Sequence, residues 1–342
     1  MLTRVLSTAL VALVMLAVVP AGDAQAPIKI GVIEPLSGPV AASGNYVRMG
    51  AEIARDWINA KGGVNGRKIE LVIEDNKSDP KEAASAAEKL IVRDKVPAIM
   101  GAWGSSMTLA AMPKLEVKKA DFLAVNTDWG RGSIQAFGDM LKKKGVQVGA
   151  AEFMEQAATD MNAQITKIKA TGADTLFLTT AVEQITLVLK QGQEQRLTRK
   201  VITTGGSSSP TQLIKQAGAA AEGSYHIVFF MPWFPEAMPD GKLAKAFVDE
   251  WTKRGNPFEG LTEGFRGHDG IATIVEAIKI AGKDEPKAIQ DALWKVSFTG
   301  VNGPIKFEKD GPAGKESGQS KPSIFVVQVR DGKVALPDFM KK

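Results

Sequence analysis

Short apolar runs and amphipathic stretches alternate along most of the chain. The run from Ile28 to Ile33 has the length and the branched residues of a buried strand, and it ends in a loop rich in Gly and Pro. Met49, Ile53 and Trp57 then recur at intervals of four, as residues on one face of a helix do. Because strand and helix go on alternating, the pattern predicts parallel sheets covered by helices on both faces.

The alternation forms two series. In the first, strands are predicted at 68–74 and 96–100, and Asp79 and Glu82 form a capping box that opens the helix between them. The predicted elements of the second series are the strands 122–125, 146–151, 175–179 and 201–204 and the helices 132–144, 160–170 and 183–191. Helices 243–254 and 268–281 and a final strand 324–329 complete the prediction.

The two series predict an α/β protein with two doubly wound parallel-sheet lobes joined by crossovers. We expect lobe 1 to comprise residues 27–119 and about 236–305, and lobe 2 to comprise residues 120–235 and about 322–336. The chain therefore leaves each lobe and returns to it.

The first 26 residues have the features of a signal peptide. Arg4 gives a positive start, Ala9 to Val19 is an apolar run of 11 residues, and small residues at Ala24 and Ala26 suit a cleavage site. Such a run is too short to span a bilayer. Cleavage is expected after Ala24 or after Ala26, which leaves a soluble, monomeric protein in the periplasm.

The amino-acid composition excludes several kinds of metal site and of thiol chemistry. The 342 residues are 44% hydrophobic and 24% charged, as in a soluble globular protein, and they contain no cysteine and two histidines. Zinc-finger, iron–sulfur, thiol and disulfide chemistry are therefore excluded, and no cofactor or metal is expected. The net charge of +5 is scattered, which argues against a nucleic-acid surface.

Signals for catalysis are weak. Residues 104–107 lack the second glycine of a nucleophile elbow, and residues 101–108 lack the lysine of a phosphate-binding loop. His268 and Asp269 could form an acid–base pair, but no nucleophile is placed beside them. We expect the protein not to be an enzyme.

Six stretches carry a family resemblance. They are residues 30–40, 60–67, 74–80, 101–106, 128–132 and 303–307. In this order the chain resembles the type I periplasmic solute-binding proteins of the leucine/isoleucine/valine-binding family, which serve branched-chain amino-acid ABC importers. The resemblance implies capture of an amino acid or related small carboxylate between two lobes and its delivery to an inner-membrane permease. The alternatives are a ligand sensor for a signalling partner and a binder of aromatic acids or amides.

The resemblance has a gap near residues 119–121. In the family pattern a strand, a binding loop and a crossover helix stand between the loop at 101–106 and the strand of the second lobe. About one βαβ unit, on the order of 40 residues, is missing from this chain. Either the sheet of lobe 1 lacks a strand and one hinge is rerouted, or the chain is a deleted form.

Ser105 and Ser106 are the first candidate ligand-binding residues. They follow a predicted strand, where helix N-termini leave unpaired N–H groups that suit an anion. The resemblance places Ser105 where the ligand carboxylate is held. The alternative role is that of a helix N-cap.

The resemblance also implies aromatic walls around the ligand. Ser43 stands where many relatives have an aromatic residue, so the pocket is expected to widen there, with Tyr46 as a possible substitute. Trp129 falls where an aromatic from lobe 2 covers the ligand. Ala181 stands near the place of a second aromatic, and its small side chain leaves that wall open.

Gly206 and Ser207 mark a second departure, because relatives that bind amino acids carry an acidic residue about there to pair with the ligand ammonium. A buried cation without a partner is costly. Either Glu183, Asp128 or Asp269 supplies the negative charge, or the ligand has no ammonium group.

Overall fold

A computed structural model describes residues 25–38, 41–101, 117–204, 209–310 and 317–340. The predicted signal peptide, apart from its last two residues, lies outside these ranges. The strands are β1 (Ile28–Glu34), β2 (Ile69–Asp75), β3 (Ile99–Gly101), β4 (Lys119–Val125), β5 (Gln147–Met154), β6 (Thr175–Thr179), β7 (Lys200–Thr204), β8 (Tyr225–Val228), β9 (Ser297–Thr299), β10 (Pro304–Asp310), β11 (Ser317–Ser320), β12 (Phe325–Arg330) and β13 (Lys333–Ala335). The helices are α1 (Ala41–Ala60), α2 (Pro80–Glu88), α3 (Asp128–Lys143), α4 (Asn162–Ala170), α5 (Val182–Glu194), α6 (Pro210–Ala217), α7 (Gly241–Lys253), α8 (Leu261–Ala281) and α9 (Pro286–Leu293).

Lobe 1 is built on a sheet of order β2-β1-β3, in which both neighbours run parallel to β1. Ile30 and Val32 of the central strand are fully buried in one cluster with residues of α1 and α8, and Ile33 packs with Ala86 of α2. Within the described residues this sheet has three strands, and β3 is paired along Ile99–Gly101 alone.

Lobe 2 is built on a seven-stranded sheet of order β13-β12-β8-β7-β6-β4-β5. Strands β4 to β8 are parallel, and β12 and β13 add antiparallel strands at one edge. Strand β4 enters the sheet at Lys119, immediately after the junction where the family pattern is interrupted. The prediction of an α/β fold with parallel sheets in two lobes is confirmed.

Helices α1 and α8 approach each other at glycine positions. A Cβ atom built on Gly50 would lie 1.7 Å from the carbonyl oxygen of Gly264, and one built on Gly267 would lie 1.8 Å from that of Val47. Only glycine fits at such distances, because real Cβ atoms do not approach backbone so closely. This contact fixes the start of α8 against α1, and both helices contribute to the cleft.

Helices α8 and α3 begin well before their predicted starts. Helix α8 begins at Leu261 and not at His268, since its polar first turns are buried against α1 instead of showing an exposed face. Helix α3 begins at Asp128 and not at Gly132, because the Thr127 side chain caps it by accepting a hydrogen bond from the Gly130 N–H at 3.3 Å. The other predicted elements lie within a few residues of the observed ones, and β6 has the predicted bounds, whereas the elements β8, β9, β10, β11, β13, α6 and α9 were not predicted.

Candidate functional site

An open cleft with a cavity volume of about 40 Å³ lies where the N-termini of four helices meet. Helices α1 and α8 belong to lobe 1, and α5 and α6 follow strands of lobe 2. The lining residues are Ala42, Ser43, Tyr46, Ala181, Val182, Glu183, Ser209, Gln212, Glu259, Thr262 and Glu263. In open α/β sheets, ligands bind beyond the carboxyl ends of the strands, where the following helices begin. The cleft has this position.

The lobe 1 wall is formed by Ser43 and Tyr46, which are one turn apart on α1. Ser43 is buried, and Tyr46 is partly buried. The Tyr46 ring lies against Gly260, where a Cβ atom would be 2.4 Å from Cδ1 of the ring, and it packs on Trp251 with ring centroids 6.5 Å apart. The residue before α8 therefore sets the position of this aromatic ring.

The lobe 2 wall follows the carboxyl ends of β6 and β7. The hydroxyl groups of Thr179 and Thr204 join these two ends at 2.6 Å, and the Thr180 hydroxyl donates to Oε1 of Gln184 at 3.0 Å. Ala181 is the N-cap of α5 and has no side-chain hydrogen bond to the helix. The first N–H groups of α5, with the positive end of its dipole, are thus directed at the cleft edge beside Glu183.

Three carboxylates line the cleft, and no lysine or arginine is among the lining residues named above. Glu183 comes from lobe 2, and Glu259 and Glu263 come from lobe 1. The buried Glu263 accepts a hydrogen bond from Nε of Arg266 at 3.1 Å. Burial raises the pKa of Tyr46, and the negative charges of Glu259 and Glu183 raise it further. The phenol of Tyr46 is therefore in the field of carboxylates from both lobes.

A fourth carboxyl lies behind the cleft at the end of β1. Glu34 is 3% exposed, and among the described residues its Oε2 has no hydrogen-bond partner. Burial chiefly, and the negative charge of Glu263 next, raise its pKa to about 8 against a partial offset from the positive charge of Arg266. Glu34 is consequently protonated at neutral pH.

Asp269, predicted as a possible ammonium partner, accepts hydrogen bonds within lobe 1. Its Oδ1 accepts from the Val301 N–H at 2.8 Å and its Oδ2 accepts from the Asn302 N–H at 3.0 Å. Its Oδ1 also lies 3.0 Å from Nδ1 of His268. The carboxylate thus joins α8 to the turn before β10, and Asp269 is not among the lining residues of this cleft. Its predicted role as an ammonium partner stays a prediction.

The structure brings together some of the predicted site residues. Ser43, Tyr46, Ala181 and Glu183 line one cleft. Trp129 is in the first turn of α3, partly buried, and is not among the lining residues.

One further predicted residue is not among the lining residues, and four lie outside the described ranges. Asp128 is exposed and pairs with Arg131 at 2.9 Å. Ser105, Ser106, Gly206 and Ser207 lie outside the described residues, so their predicted roles stay predictions.

Glu259 and Glu263 are the cleft carboxylates that sequence reasoning missed. Glu259 lies two residues before α8 and Glu263 lies in its first turn, whereas the sequence predicts that this helix begins at His268. Acidic residues at the start of a helix are common because they complement the dipole, and this pattern alone does not indicate a ligand site.

Within the described ranges, no group of three or more His, Asp or Glu side chains could hold a metal ion. Among the helices described there, none is long and apolar enough to cross a bilayer.

Two sheet-based lobes and a cleft at their helix N-termini define a two-lobed binding protein of the α/β class. The chain belongs to the Periplasmic binding protein family, whose model matches residues 27–120 and 111–333. The two matched segments overlap at residues 111–120, next to residues 119–121, where the sequence predicts a gap in the resemblance.

Several relatives and solved structures are similar to the chain. "Leu/Ile/Val-binding protein homolog 2" of Brucella abortus is 28% identical over 339 positions, which cover 85% of this chain and 88% of that protein. "Amino acid binding protein" of Pseudomonas aeruginosa is 26% identical over an alignment that covers 84% of this chain and 88% of that protein. The crystal structure of a leucine binding protein from Thermotoga maritima has a TM-score of 0.77 at 24% identity, over 91% of this chain and 97% of that chain.

A solute-binding protein from R. palustris in complex with 4-hydroxybenzoate has the same fold. Its TM-score is 0.73 at 21% identity, and it covers 90% of this chain and 95% of that chain. At these identities the solved structures establish the fold.

Proposed function

We propose that this protein is the substrate-binding component of an ABC importer. It captures an amino acid or a related small carboxylate between its two lobes in the periplasm, as a monomer, and delivers it to an inner-membrane permease. Binding without catalysis is the activity proposed. Relatives named as amino-acid-binding proteins support this class of ligand.

The observation that carries the proposal is the composition of the cleft. Helix N-termini present N–H groups and positive dipole ends, which suit a carboxylate. Glu183 and Glu259 present negative charge, which suits an ammonium group. An amino acid carries both groups, so it complements the two kinds of wall at once.

Because residues of both lobes line the cleft, ligand binding favours closure of the two lobes. A ligand that contacts Tyr46 of lobe 1 and Ala181 of lobe 2 binds the closed form more tightly than the open form. Differential affinity of this kind shifts the population toward the closed form. The closed form is the one proposed to be presented to the permease.

The second candidate is a binder of aromatic acids, favoured by the Tyr46 ring at the cleft and by the neighbour that holds 4-hydroxybenzoate. A sensor for a signalling partner would use the same cleft. Transport assays with the permease would distinguish that role from the role of an importer component.

A thermal-shift screen of the purified protein tests the proposal. The panel contains the aliphatic amino acids, aromatic acids and amides. A ligand present at 100 times its Kd stabilises the native state by about 2.7 kcal/mol and raises Tm. We expect amino acids to raise Tm, and we expect Tyr46→Ala to remove the effect. A rise with aromatic acids alone would favour the second candidate.

A further inference from the structure

The turn between β9 and β10 lies against two connections between the lobes. The chain leaves lobe 2 after β8, at Phe229, and enters it again before β12, at Ser323. These two connections are neighbours, because β8 and β12 are adjacent antiparallel strands. The turn belongs to lobe 1 and comprises residues 300–303, where the N–H groups of Gly300 and Gly303 donate to each other's carbonyl oxygens.

The side chain of Asn302 joins this turn to both connections. Its Nδ2 donates to the carbonyl oxygen of Phe229 and, at 3.0 Å, to that of Ser323, and its Oδ1 accepts from the Ser323 N–H at 3.0 Å. These bonds use both N–H donors and the carbonyl oxygen of the amide. Asn302 is 4% exposed, and a buried polar group that loses its partner is costly. The amide therefore holds the two connections to each other and to the turn.

The turn itself is fixed to the body of lobe 1. The Asp269 carboxylate of α8 accepts from the N–H groups of Val301 and Asn302 at 2.8 and 3.0 Å. On the other side of the turn, a Cβ atom on Gly303 would lie 2.4 Å from the Ser323 hydroxyl oxygen, and the φ of Gly303 is +139°. Glycine alone suits this close approach. Movement of the connections relative to lobe 1 is thus resisted at Asn302.

We propose that Asn302 is a positioning residue that sets the angle between the two lobes, because it joins both connections to lobe 1 at one point. The consequence for ligand capture rests on the proposed function, since this angle decides how the two walls of the cleft face each other. Lobes that turn more freely occupy the binding-competent angle for a smaller fraction of the time. The apparent affinity falls by the same fraction.

The first experiment measures the angle in the absence of any ligand. The chain contains no cysteine, so Lys81→Cys on α2 and Lys190→Cys on α5 place one spin label at an exposed position of each lobe. Pulsed electron–electron double resonance gives the distribution of distances between the labels. We expect Asn302→Ala and Asn302→Asp to broaden or shift this distribution. The aspartate tests the hydrogen bonds and not the side-chain volume, because a carboxylate cannot donate to the two carbonyl oxygens.

Asn59→Ala is the matched control. Asn59 makes the same paired contact inside lobe 1, since its Oδ1 accepts from the Ile69 N–H at 2.7 Å and its Nδ2 donates to the Ile69 carbonyl oxygen at 2.9 Å. This variant is expected to lower Tm and to leave the interlobe distances unchanged. A label pair inside lobe 2, at the exposed Lys142 and Lys190, shows that the Asn302 variants keep that lobe intact. Asn302→Ser retains one hydroxyl donor and acceptor, and this milder variant should give a smaller broadening.

The second experiment measures ligand capture. Leucine is titrated by calorimetry into the wild-type protein, Asn302→Ala and Asn59→Ala. We expect Asn302→Ala to weaken binding about fivefold, as when the competent fraction falls to about a fifth. Asn59→Ala is expected to bind leucine as the wild-type protein does.

The two experiments separate the inference from the proposed function. Interlobe distributions that are the same for the wild-type protein and the folded Asn302 variants would overturn the inference, and so would an equal change in Asn59→Ala. A wild-type protein that binds neither leucine nor any compound of the thermal-shift panel would overturn the proposed function. In that case the distances in the ligand-free protein still decide whether Asn302 sets the lobe angle.

Discussion

The Asp121 carboxylate and the Arg199 guanidinium form a buried ion pair in lobe 2, with 2.6 Å between Oδ2 and Nη1. Asp121 is fully buried, and the Arg199 side chain is 5% exposed. Asp121 also accepts from the Ala150 N–H at 2.7 Å and from the Thr171 hydroxyl. The pair thus joins β4, the first strand after the interrupted junction, to the segment before β7.

Removing one partner of this pair should be strongly destabilising. Asp121→Asn leaves the Arg199 cation buried without a counter-charge, and we expect the free energy of unfolding to fall by about 3–5 kcal/mol. Urea denaturation at pH 7 measures it. The control is Asp249→Asn, which removes an exposed pair with Lys245 and should cost less than about 1 kcal/mol. Similar effects for the two variants would show that the buried pair has no special weight.

Gly267→Ala tests the close approach of α1 and α8. The added methyl group would lie 1.8 Å from the Val47 carbonyl oxygen and 2.6 Å from the Ala51 nitrogen, so the helices must separate. We expect a loss of about 1–3 kcal/mol or more, measured by thermal unfolding. Gly132→Ala on α3 is the control, because nothing lies within 4 Å of its Cβ position. That variant should gain about 0.5–1 kcal/mol. Stabilisation by both substitutions would contradict the packing.

Because His226 is buried, we expect the folded protein to lose stability in acid. Burial lowers its pKa to about 3, and its ring nitrogens lie 2.9 Å from the Thr203 hydroxyl and 2.8 Å from the Ser224 hydroxyl. The unfolded chain, with a pKa near 6.5, binds the proton more readily. Stability should therefore decrease as pH falls from about 6.5 towards 3, by up to about 1.4 kcal/mol per pH unit.

The variant His226→Gln isolates this contribution. Denaturant titrations of both proteins at pH 7, 6 and 5 give the difference in their free energies of unfolding. The advantage of the wild-type protein should shrink by about 2 kcal/mol between pH 7 and pH 5. A difference that stays constant with pH would show that the histidine is not held neutral.

Glu34 has the opposite dependence on pH. Its pKa is raised from 4.5 to about 8, chiefly by burial, so the folded protein holds a proton that the unfolded chain releases. Stability from this group is full below about 4.5 and decreases as pH rises towards 8. Glu34→Gln should therefore gain stability relative to the wild-type protein between pH 5 and pH 8.5. Thermal unfolding measures the gain, with Glu88→Gln as an exposed control, and a gain that does not grow with pH would contradict it.

The local pattern of the sequence determined the elements and the class of fold. The apolar run at Thr175–Thr179 and the intervals of Met49, Ile53 and Trp57 depend on neighbours a few residues away, so they could be predicted from the chain alone. Tyr46, Ser43 and Ala181 were placed by the resemblance, and the structure brings them to one cleft. The gap in the family pattern near 119–121 was inferred from the sequence and stays a prediction.

Tertiary structure alone decided which charges share the site. Glu183 and Glu259 are far apart in the sequence, and each has the ordinary setting of an acidic residue near a helix start. Asp269 had equal standing in the sequence, but the turn before β10 supplies two N–H groups that engage its carboxylate. The close packing of α1 against α8 at glycine positions, together with the return of the chain to lobe 1, places these residues in the folded protein. Contacts between residues so distant in the chain follow from packing, which no local periodicity encodes.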